Sequence, residues 1–141
     1  AGTSMGGITT AASLTQYPWI KAAAILMGTP KATQYAHLLI ENYKEAGKYL
    51  TKEQIQHAIN RLHDYDLSLH IDRLDNRPLL FWHGENDSVV PFKHSYTFYN
   101  EAQTYYQNSN MLRFLREKER DQKDSRHAIL ETEKWFVEHL G

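Results

Sequence analysis

The sequence predicts an α/β domain in which helices cover both faces of a parallel β-sheet. Segments with helical periodicity alternate along the chain with short apolar runs, an order that is typical of parallel sheets. The chain has 141 residues, of which 41% are apolar. This length is ordinary for one domain, and the apolar content is sufficient to build a core.

The first predicted feature is a sharp turn from a strand into a helix at Gly2-Thr3-Ser4-Met5-Gly6. The stretch fits the G-x-S-x-G pattern of a nucleophile elbow, in which a serine stands at the tip of the turn. We expect Gly2 and Gly6 to leave room there for strand, helix and substrate, and the Met5 N–H to serve as an oxyanion donor. A serine in a glycine-rich turn also commonly caps a helix, so the pentapeptide alone leaves both roles open.

A helix and a buried strand follow this turn. Small and apolar residues recur after Ser4 with helical spacing, and the pattern ends before Pro18. Residues 21–27 then form a short apolar run closed by Gly28-Thr29-Pro30. Alanine favours helix, but the short length and the flanking turns predict a buried parallel strand. The helical stripe consists of Ile8, Ala11, Ala12 and Thr15.

Residues from about 31 to 75 form a predicted helical insertion between two strands. Its first helix should end near Gly47, and Thr51-Lys52-Glu53-Gln54 is a capping box that should begin the second. These helices could simply cover the sheet as part of the core, or they could form a lid over a site; we favour the lid, because covering helices often supply apolar walls. The apolar stripes are Tyr35, Leu38, Leu39 and Tyr43 in the first helix and Ile55, Ala58, Ile59 and Leu62 in the second.

The second half of the chain continues the alternation. Apolar residues at 79–82 and 111–115 predict two further strands, and a helix should follow each of them. The predicted apolar stripes are Phe92, Tyr96, Tyr99 and Ala102 in the first of these helices and Ile129, Thr132, Phe136 and Leu140 in the last.

A carboxylate candidate follows the strand at 79–82. A serine hydroxyl is a poor nucleophile unless a base contacts it, and that base needs an orienting carboxylate. Asp87 lies just past the strand, at the carboxyl edge where open α/β sheets build their sites. Glu85 competes with it, although we expect Glu85 to face solvent or to support the loop.

The base must come from eight histidines. His127 combines a loop after a strand, the start of a helix and a position after the acid. His83 is expected to be buried and hydrogen-bonded in a structural role, and His94 to belong to the first turn of a helix. The remaining candidates, expected at surface, loop or helix-end positions, are His37, His57, His63, His70 and His139.

Three separated segments together resemble the C-terminal half of an α/β-hydrolase. They are Gly2–Gly7, His83–Pro91 and Ser125–His127, and the likeness extends from the elbow to the last helix. Among α/β-hydrolases the chain looks like bacterial esterases of the YitV type and the related prolyl-oligopeptidase-like hydrolases. The second segment, with its His-Gly-x-x-Asp-x-x-Val-Pro pattern, is far more specific than the elbow.

This resemblance implies Ser4 as nucleophile, Asp87 as acid and His127 as base, in the chain order Ser, Asp, His. The implied function is a serine hydrolase that cleaves a small-molecule carboxylic ester through an acyl-enzyme, with no cofactor. A prolyl-oligopeptidase-like peptidase would use the same residues, and a catalytically inactive hydrolase fragment kept for binding is the third alternative.

The chain departs from the family pattern at its start. The strands ahead of the elbow and the early loop that supplies the second oxyanion donor are not in this sequence. We therefore expect the C-terminal portion of a longer hydrolase, weak or inactive alone. An unpaired sheet edge should also make it self-associate as a homo-oligomer.

Composition restricts the other classes of function. The formal net charge is −1, and the basic residues from Arg113 to Arg126 alternate with acidic ones, which argues against nucleic-acid binding. The chain has no cysteine, which excludes disulfides and cysteine-zinc sites, and no His-x-x-x-His pair that would suggest a metal. Without a membrane-length apolar run or a signal-peptide layout, a cytoplasmic protein is expected. The resemblance to bacterial esterases implies a bacterial enzyme.

Overall fold

The computed structural model describes residues 1–42, 46–118 and 126–141. Four strands form one sheet in the order β1-β2-β3-β4, and every neighbouring pair is parallel. The register pairs Gly2 with Ile25, Ala23 with Leu79, and Leu79 with Leu112. The predicted α/β class with a parallel sheet is confirmed. The strands are β1 (Gly2–Thr3), β2 (Ala23–Leu26), β3 (Leu79–Gly84) and β4 (Leu112–Glu117).

Helices connect these strands, as the alternating pattern predicts. Within the described ranges, no helix is both long enough and apolar enough to cross a membrane. The helices are α1 (Met5–Gln16), α2 (Ala32–Asn42), α3 (Ala46–Tyr49), α4 (Lys52–Leu62), α5 (Phe92–Ala102) and α6 (Arg126–Leu140). Short 3₁₀ turns lie at His63–Tyr65, Leu67–Leu69, Ile71–Leu74, Gln103–Tyr105 and Ser109–Met111.

Alternating side chains of β3 enter two separate cores. Leu79 and Phe81 pack on the face covered by α1 and α5, whereas Leu80 and Trp82 pack on the face covered by α6. Because successive residues of a strand point to opposite faces, a continuous apolar run requires cover on both sides. The structure supplies that cover, which is why all six residues of β3 are buried.

The insertion between β2 and β3 has two parts. The predicted capping box is confirmed: the Gln54 N–H donates to Thr51 Oγ1 at 3.1 Å, and the Thr51 N–H donates to Gln54 Oε1 at 2.9 Å. Residues 67–74 belong to the core, where Leu67 and Leu74 are buried against α1. The α2–α4 part buries fewer side chains, and Tyr43 of the predicted stripe lies outside the described residues.

The predicted apolar stripe of α6 is wrong at both ends. Ile129 is 58% and Leu140 55% exposed, whereas Thr132 is buried. The buried face also includes Ala128 and Trp135. This helix carries apolar residues on more than one face, so periodicity selected a stripe rotated away from the one that contacts the sheet.

The predicted stripe of α5 is likewise offset. Only Ala102 of the four residues is buried, and Phe98 supplies the large core side chain. Phe92, Tyr96 and Tyr99 are half-buried and gather around Phe114 of β4, with ring centroids 5.3–5.6 Å from it. The aromatic residues of α5 therefore cover Phe114 of β4, which is an edge strand of the described sheet.

Candidate active site

Ser4 occupies a strained position at the tip of the β1–α1 turn. Its backbone has φ 55° and ψ −116°, which places an ordinary L-residue in the positive-φ region. Such a conformation costs about 1–3 kcal/mol and persists only where the surroundings enforce it. Here the Ser4 N–H donates to Leu26 O at 2.8 Å, and Ser4 O accepts from the Gly7 N–H at 2.9 Å, so strand and helix hold the residue from both sides.

The glycines of the elbow have different roles. A Cβ at Gly2 would lie 1.8 Å from Gly6 O, so no other residue fits there. A Cβ at Gly28, in the turn after β2, would lie 2.7 Å from the Cα of Gly7, a backbone contact that the sequence did not suggest. Apart from its own helix and chain neighbours, a Cβ built at Gly6 would meet no described atom within 4 Å, so the space beside it is open, and the room for substrate predicted there stays a prediction.

Asp87 lies in the loop after β3 with its side chain completely buried. Its Oδ1 accepts hydrogen bonds from the Val89 and Val90 N–H groups, both at 2.9 Å. Its Oδ2 lies 3.1 Å from Nε2 of His83. Both carboxylate oxygens are therefore held inside the loop.

His83 is buried and hydrogen-bonded, as the sequence predicts. Its side chain is 1% exposed, and its Nε2 lies 2.9 Å from Val90 O, closer than the 3.1 Å to Asp87 Oδ2. The Nε2–H is better aligned with the carbonyl, so within the described part of the chain Asp87 Oδ2 has no well-aligned donor. One lone pair of a buried carboxylate oxygen is thus left for a further donor.

The environment of Asp87 favours its charged form. Burial is the largest influence and raises the pKa of the Asp87 carboxyl, but hydrogen bonds from His83 and from the Val90 and Val89 N–H groups lower it. The donors outweigh the burial, so the pKa lies below its ordinary value. The group is suited to act as a fixed negative charge.

His127 lies at the start of α6 with 53% of its side chain exposed. Its Nδ1 lies 2.5 Å from Oε1 of Glu117, the last residue of β4, and its Nε2 lies 3.5 Å from Oε1 of Glu131. Sequence reasoning missed Glu117, although a carboxylate at the end of a strand was the signal that could have found it. Ser125, which precedes this segment in the predicted motif, lies outside the described residues.

The structure brings Asp87 to His83 and His127 to Glu117, and these two pairs lie at neighbouring strand ends. Glu117 is the register partner of Gly84, the last residue of β3. In addition, the Glu85 N–H donates to Glu117 O at 3.0 Å, which fastens the start of the Asp87 loop to β4. Residues 85–91, which carry Asp87 and are called the acid loop below, therefore lie at the same edge of the sheet as His127.

Glu85 supports this loop, one of the two roles expected for it. Its Oε1 lies 2.6 Å from Nε of Arg116. The guanidinium of Arg116 lies over the rings of Phe92 and Tyr96, 5.2 and 5.0 Å from their centroids. Contact with two rings and a carboxylate restrains Arg116, and through Glu85 it restrains the loop.

Ser4, Asp87 and His127 all follow the carboxyl ends of strands. Ser4 comes directly after β1, Asp87 three residues after β3, and His127 ten residues after the end of β4. Because the strands are parallel, those ends meet at one edge of the sheet, where α/β proteins bind ligands.

Comparison with known proteins gives a consistent family. The model of the prolyl oligopeptidase family matches residues 1–141. The Bacillus subtilis (strain 168) protein named "Putative esterase YitV" is 41% identical over 143 residues, which cover 99% of this chain and 56% of that protein. "Esterase YjfP" of Escherichia coli (strain K12) is 29% identical over 92 residues, 64% of this chain and 36% of that protein. The chain thus spans about half the length of the first relative and less of the second.

Solved structures share the fold at low sequence identity. The uncomplexed acylaminoacyl peptidase of Pyrococcus horikoshii superposes with a TM-score of 0.69 at 20% identity, over 99% of this chain and 23% of that one. The Pyrococcus furiosus esterase Pf2001 gives a TM-score of 0.66 at 11% identity, over 99% of this chain and 52% of that one. With its parallel sheet, elbow and matching family model, the chain belongs to the prolyl oligopeptidase family and has the α/β-hydrolase fold.

Proposed function

We propose that the protein is a serine hydrolase that cleaves carboxylic esters through an acyl-enzyme. The observation that carries the proposal is the strained backbone of Ser4 at the tip of the β1–α1 turn. Strain of this kind is concentrated at functional sites, and a nucleophile elbow uses it to present the serine. The names of the two matched relatives, both esterases, favour an ester as substrate.

The first half of the reaction forms the acyl-enzyme. Ser4 Oγ attacks the ester carbonyl carbon while Nε2 of His127 takes the hydroxyl proton, and the carbonyl electron pair moves onto oxygen. The N–H of Met5 donates to that oxyanion: Met5 is the first residue of α1, where backbone N–H groups have no partner within the helix. Collapse of the tetrahedral intermediate breaks the bond to the alcohol oxygen, which leaves with the proton from His127.

The second half releases the acid. Water attacks the acyl carbon, His127 takes a proton from that water, and Ser4 leaves with the proton that His127 returns. One ester and one water molecule become one carboxylic acid and one alcohol.

Asp87 is the proposed acid of this triad. In the reactive arrangement the Nδ1–H of His127 is donated to Oδ2 of Asp87, which fixes the tautomer and stabilises the imidazolium. Support comes from the buried Oδ2, which has no well-aligned donor within the described residues, and from the lowered pKa of this carboxyl. The pairing of His127 with Glu117 then belongs to a resting arrangement at the adjacent strand end.

The helices α2–α4 are the proposed lid. They lie between β2 and β3 in the chain, and Tyr35 of α2 is buried with its hydroxyl 3.5 Å from Val89 O in the acid loop. This contact connects the insertion to the loop that carries Asp87. A lid in this place would supply apolar walls for the acyl or alcohol group.

The test is made on the natural full-length protein with chromogenic esters and a fluorophosphonate probe. Ser4→Ala should lower ester turnover by about 10⁴-fold or more and abolish labelling. Ser13→Ala, on α1, where the hydroxyl donates to Thr9 O at 2.8 Å, is the matched control and should keep both. Turnover that survives Ser4→Ala, or a wild-type protein that the probe does not label, would refute the proposal.

A peptidase is the second candidate, favoured by the matched family and by the likeness to acylaminoacyl peptidase. The same catalytic residues would serve an amide, so substrate comparison is the discriminating measurement. We expect turnover of the acyl ester, but turnover of the corresponding peptide anilide no higher than that of the Ser4→Ala variant. Cleavage of the anilide that depends on Ser4 would assign the protein to the peptidases.

A further inference from the structure

We propose that His83 is a positioning residue for Asp87: its Nε2–H holds the acid loop closed and fixes the direction in which the carboxylate faces His127. This inference rests on the proposed function, in which Asp87 orients the base. The contact between His83 and Asp87 is independent of that function and can be measured separately.

His83 is well placed to act as a fixed support. It is the fifth of the six residues of β3, where its backbone is in register with Arg116 of β4. Its ring is 1% exposed and meets the Phe92 ring edge-on, at 5.9 Å between centroids and an interplanar angle of 85°. Sheet pairing and close packing therefore restrict both the backbone and the ring.

The partners of Nε2 determine where the ring carries a hydrogen. Val90 O lies 2.9 Å from it and Asp87 Oδ2 lies 3.1 Å from it. A carbonyl and a carboxylate are both acceptors, so Nε2 must be the donor to either of them. The Nε2–H is therefore hydrogen-bonded to Val90 O, and the Asp87 carboxylate of the same loop lies 3.1 Å from that nitrogen.

These bonds close the acid loop from two directions. Asp87 Oδ1 receives the Val89 and Val90 N–H groups, and His83 binds the carbonyl oxygen of the same Val90. With Oδ1 occupied twice, the carboxylate has one orientation in which Oδ2 lies beside His83. The remaining lone pair of Oδ2 then points in a defined direction, and in the proposed reactive arrangement it accepts the N–H of His127.

A positioning role predicts a loss in kcat rather than in substrate affinity. Misplacement of a catalytic group by about 1 Å can lower the rate about 100-fold, because the proton transfers depend on alignment. We expect substrate binding to be unaffected, since the His83 side chain is only 1% exposed.

The decisive comparison is between His83→Leu and His83→Gln. Leucine fills much of the space but donates nothing, whereas the glutamine amide nitrogen can occupy the position of Nε2. We expect His83→Leu to lower kcat about 10- to 100-fold with KM unchanged, and His83→Gln to recover most of that loss. Equal losses in the two variants would overturn the proposal, because donation from this position would then be irrelevant.

His94→Leu is the matched control. His94 is also a buried histidine, 3% exposed, but its ring contacts Thr29 Oγ1 at 3.5 Å rather than the acid loop. This variant should lose stability without the change in kcat per folded molecule. A kcat loss equal to that of His83→Leu would indicate general destabilisation and contradict a specific role.

Nuclear magnetic resonance separates this inference from the proposed function. In the wild-type protein, the ¹⁵N shift of His83 should show a protonated Nε2, and the pKa of Asp87 from its ¹³C carboxyl shift should rise in His83→Leu but not in His83→Gln. An unprotonated Nε2, or an Asp87 pKa unchanged by His83→Leu, would overturn the contact. If Ser4→Ala kept full activity, the proposed function would fail while these shifts would still test His83.

Discussion

Two histidine–carboxylate pairs stand at the same edge of the sheet, and they differ in their access to water. The side chains of His83 and Asp87 are 1% and 0% exposed, whereas those of His127 and Glu117 are 53% and 25% exposed. The exposed pair is the shorter, at 2.5 Å against 3.1 Å. The shorter pair is therefore the more exposed one, so distance and burial lead to opposite conclusions about which pair is the stronger.

Burial is the better guide to what each pair does. Water can replace either partner of an exposed pair, so such a pair contributes little and can separate easily. A buried acceptor that loses its donor has no such replacement, so it keeps its geometry or loses stability. The inner pair, His83 and Asp87, therefore keeps a fixed geometry, whereas the outer pair, His127 and Glu117, can separate.

The largest expected effect comes from breaking the inner pair with Asp87→Asn. Ester turnover should fall about 10⁴-fold, because an amide cannot hold the imidazole in the same tautomer. The free energy of unfolding should fall by about 1–3 kcal/mol, because buried donors in the loop lose a charged acceptor. Turnover and urea unfolding measure the two effects.

The matched control for this substitution is Asp72→Asn, which changes an exposed aspartate in a 3₁₀ turn. It should leave both quantities close to wild type. If Asp87→Asn behaved like Asp72→Asn, the buried pair would have no special role in either catalysis or stability.

A smaller effect should appear on the acid side of the stability profile. Burial raises the folded-state pKa of Asp87, but the hydrogen bonds to its carboxylate outweigh burial and lower that pKa below its ordinary value. The contribution of Asp87 to stability is therefore fully present above the ordinary aspartate pKa of about 3.9. That contribution is lost as pH falls through the folded-state pKa. The stability difference between wild type and Asp87→Asn should therefore shrink below about pH 4. Urea unfolding over a pH series would measure it, and a constant difference down to acid would contradict the lowered pKa.

The smallest effect is expected from Glu117→Gln in the outer pair. The free energy of unfolding should change by less than about 1 kcal/mol, and the change should vanish in high salt because exposed charges are screened. Turnover should not fall, since release of His127 favours its transfer to Asp87. Glu133→Gln, an exposed change on α6, is the control. A large loss of turnover in Glu117→Gln alone would make Glu117, and not Asp87, the functional acid.

Local patterns predicted the elements that hold these pairs. The run Leu79–Trp82 was apolar because β3 is covered on both faces, and the capping box at Thr51 depends on residues only three positions apart. Periodicity failed on α6, where Ile129 is exposed and Trp135 is buried, because the helix is apolar on several sides.

The contacts between side chains of different elements could not be predicted from the sequence. His83 was expected to be buried, but its proximity to Asp87 depends on how the loop folds back over Val89 and Val90. The pairing of His127 with Glu117 joins a helix to the end of a strand across residues 119–125. The roles of Ser4, Asp87 and His127 in catalysis remain predictions.

The close backbone contacts at Gly2 and Gly28 predict how these positions will behave in a deep mutational scan. Both positions exclude any Cβ because other backbone atoms already fill the space, so replacements there should reduce the amount of folded protein. Ser4 should show the opposite profile, with abundance kept and turnover lost in Ser4→Ala. A paired scan of abundance and activity would therefore separate the residues that shape the elbow from the proposed nucleophile.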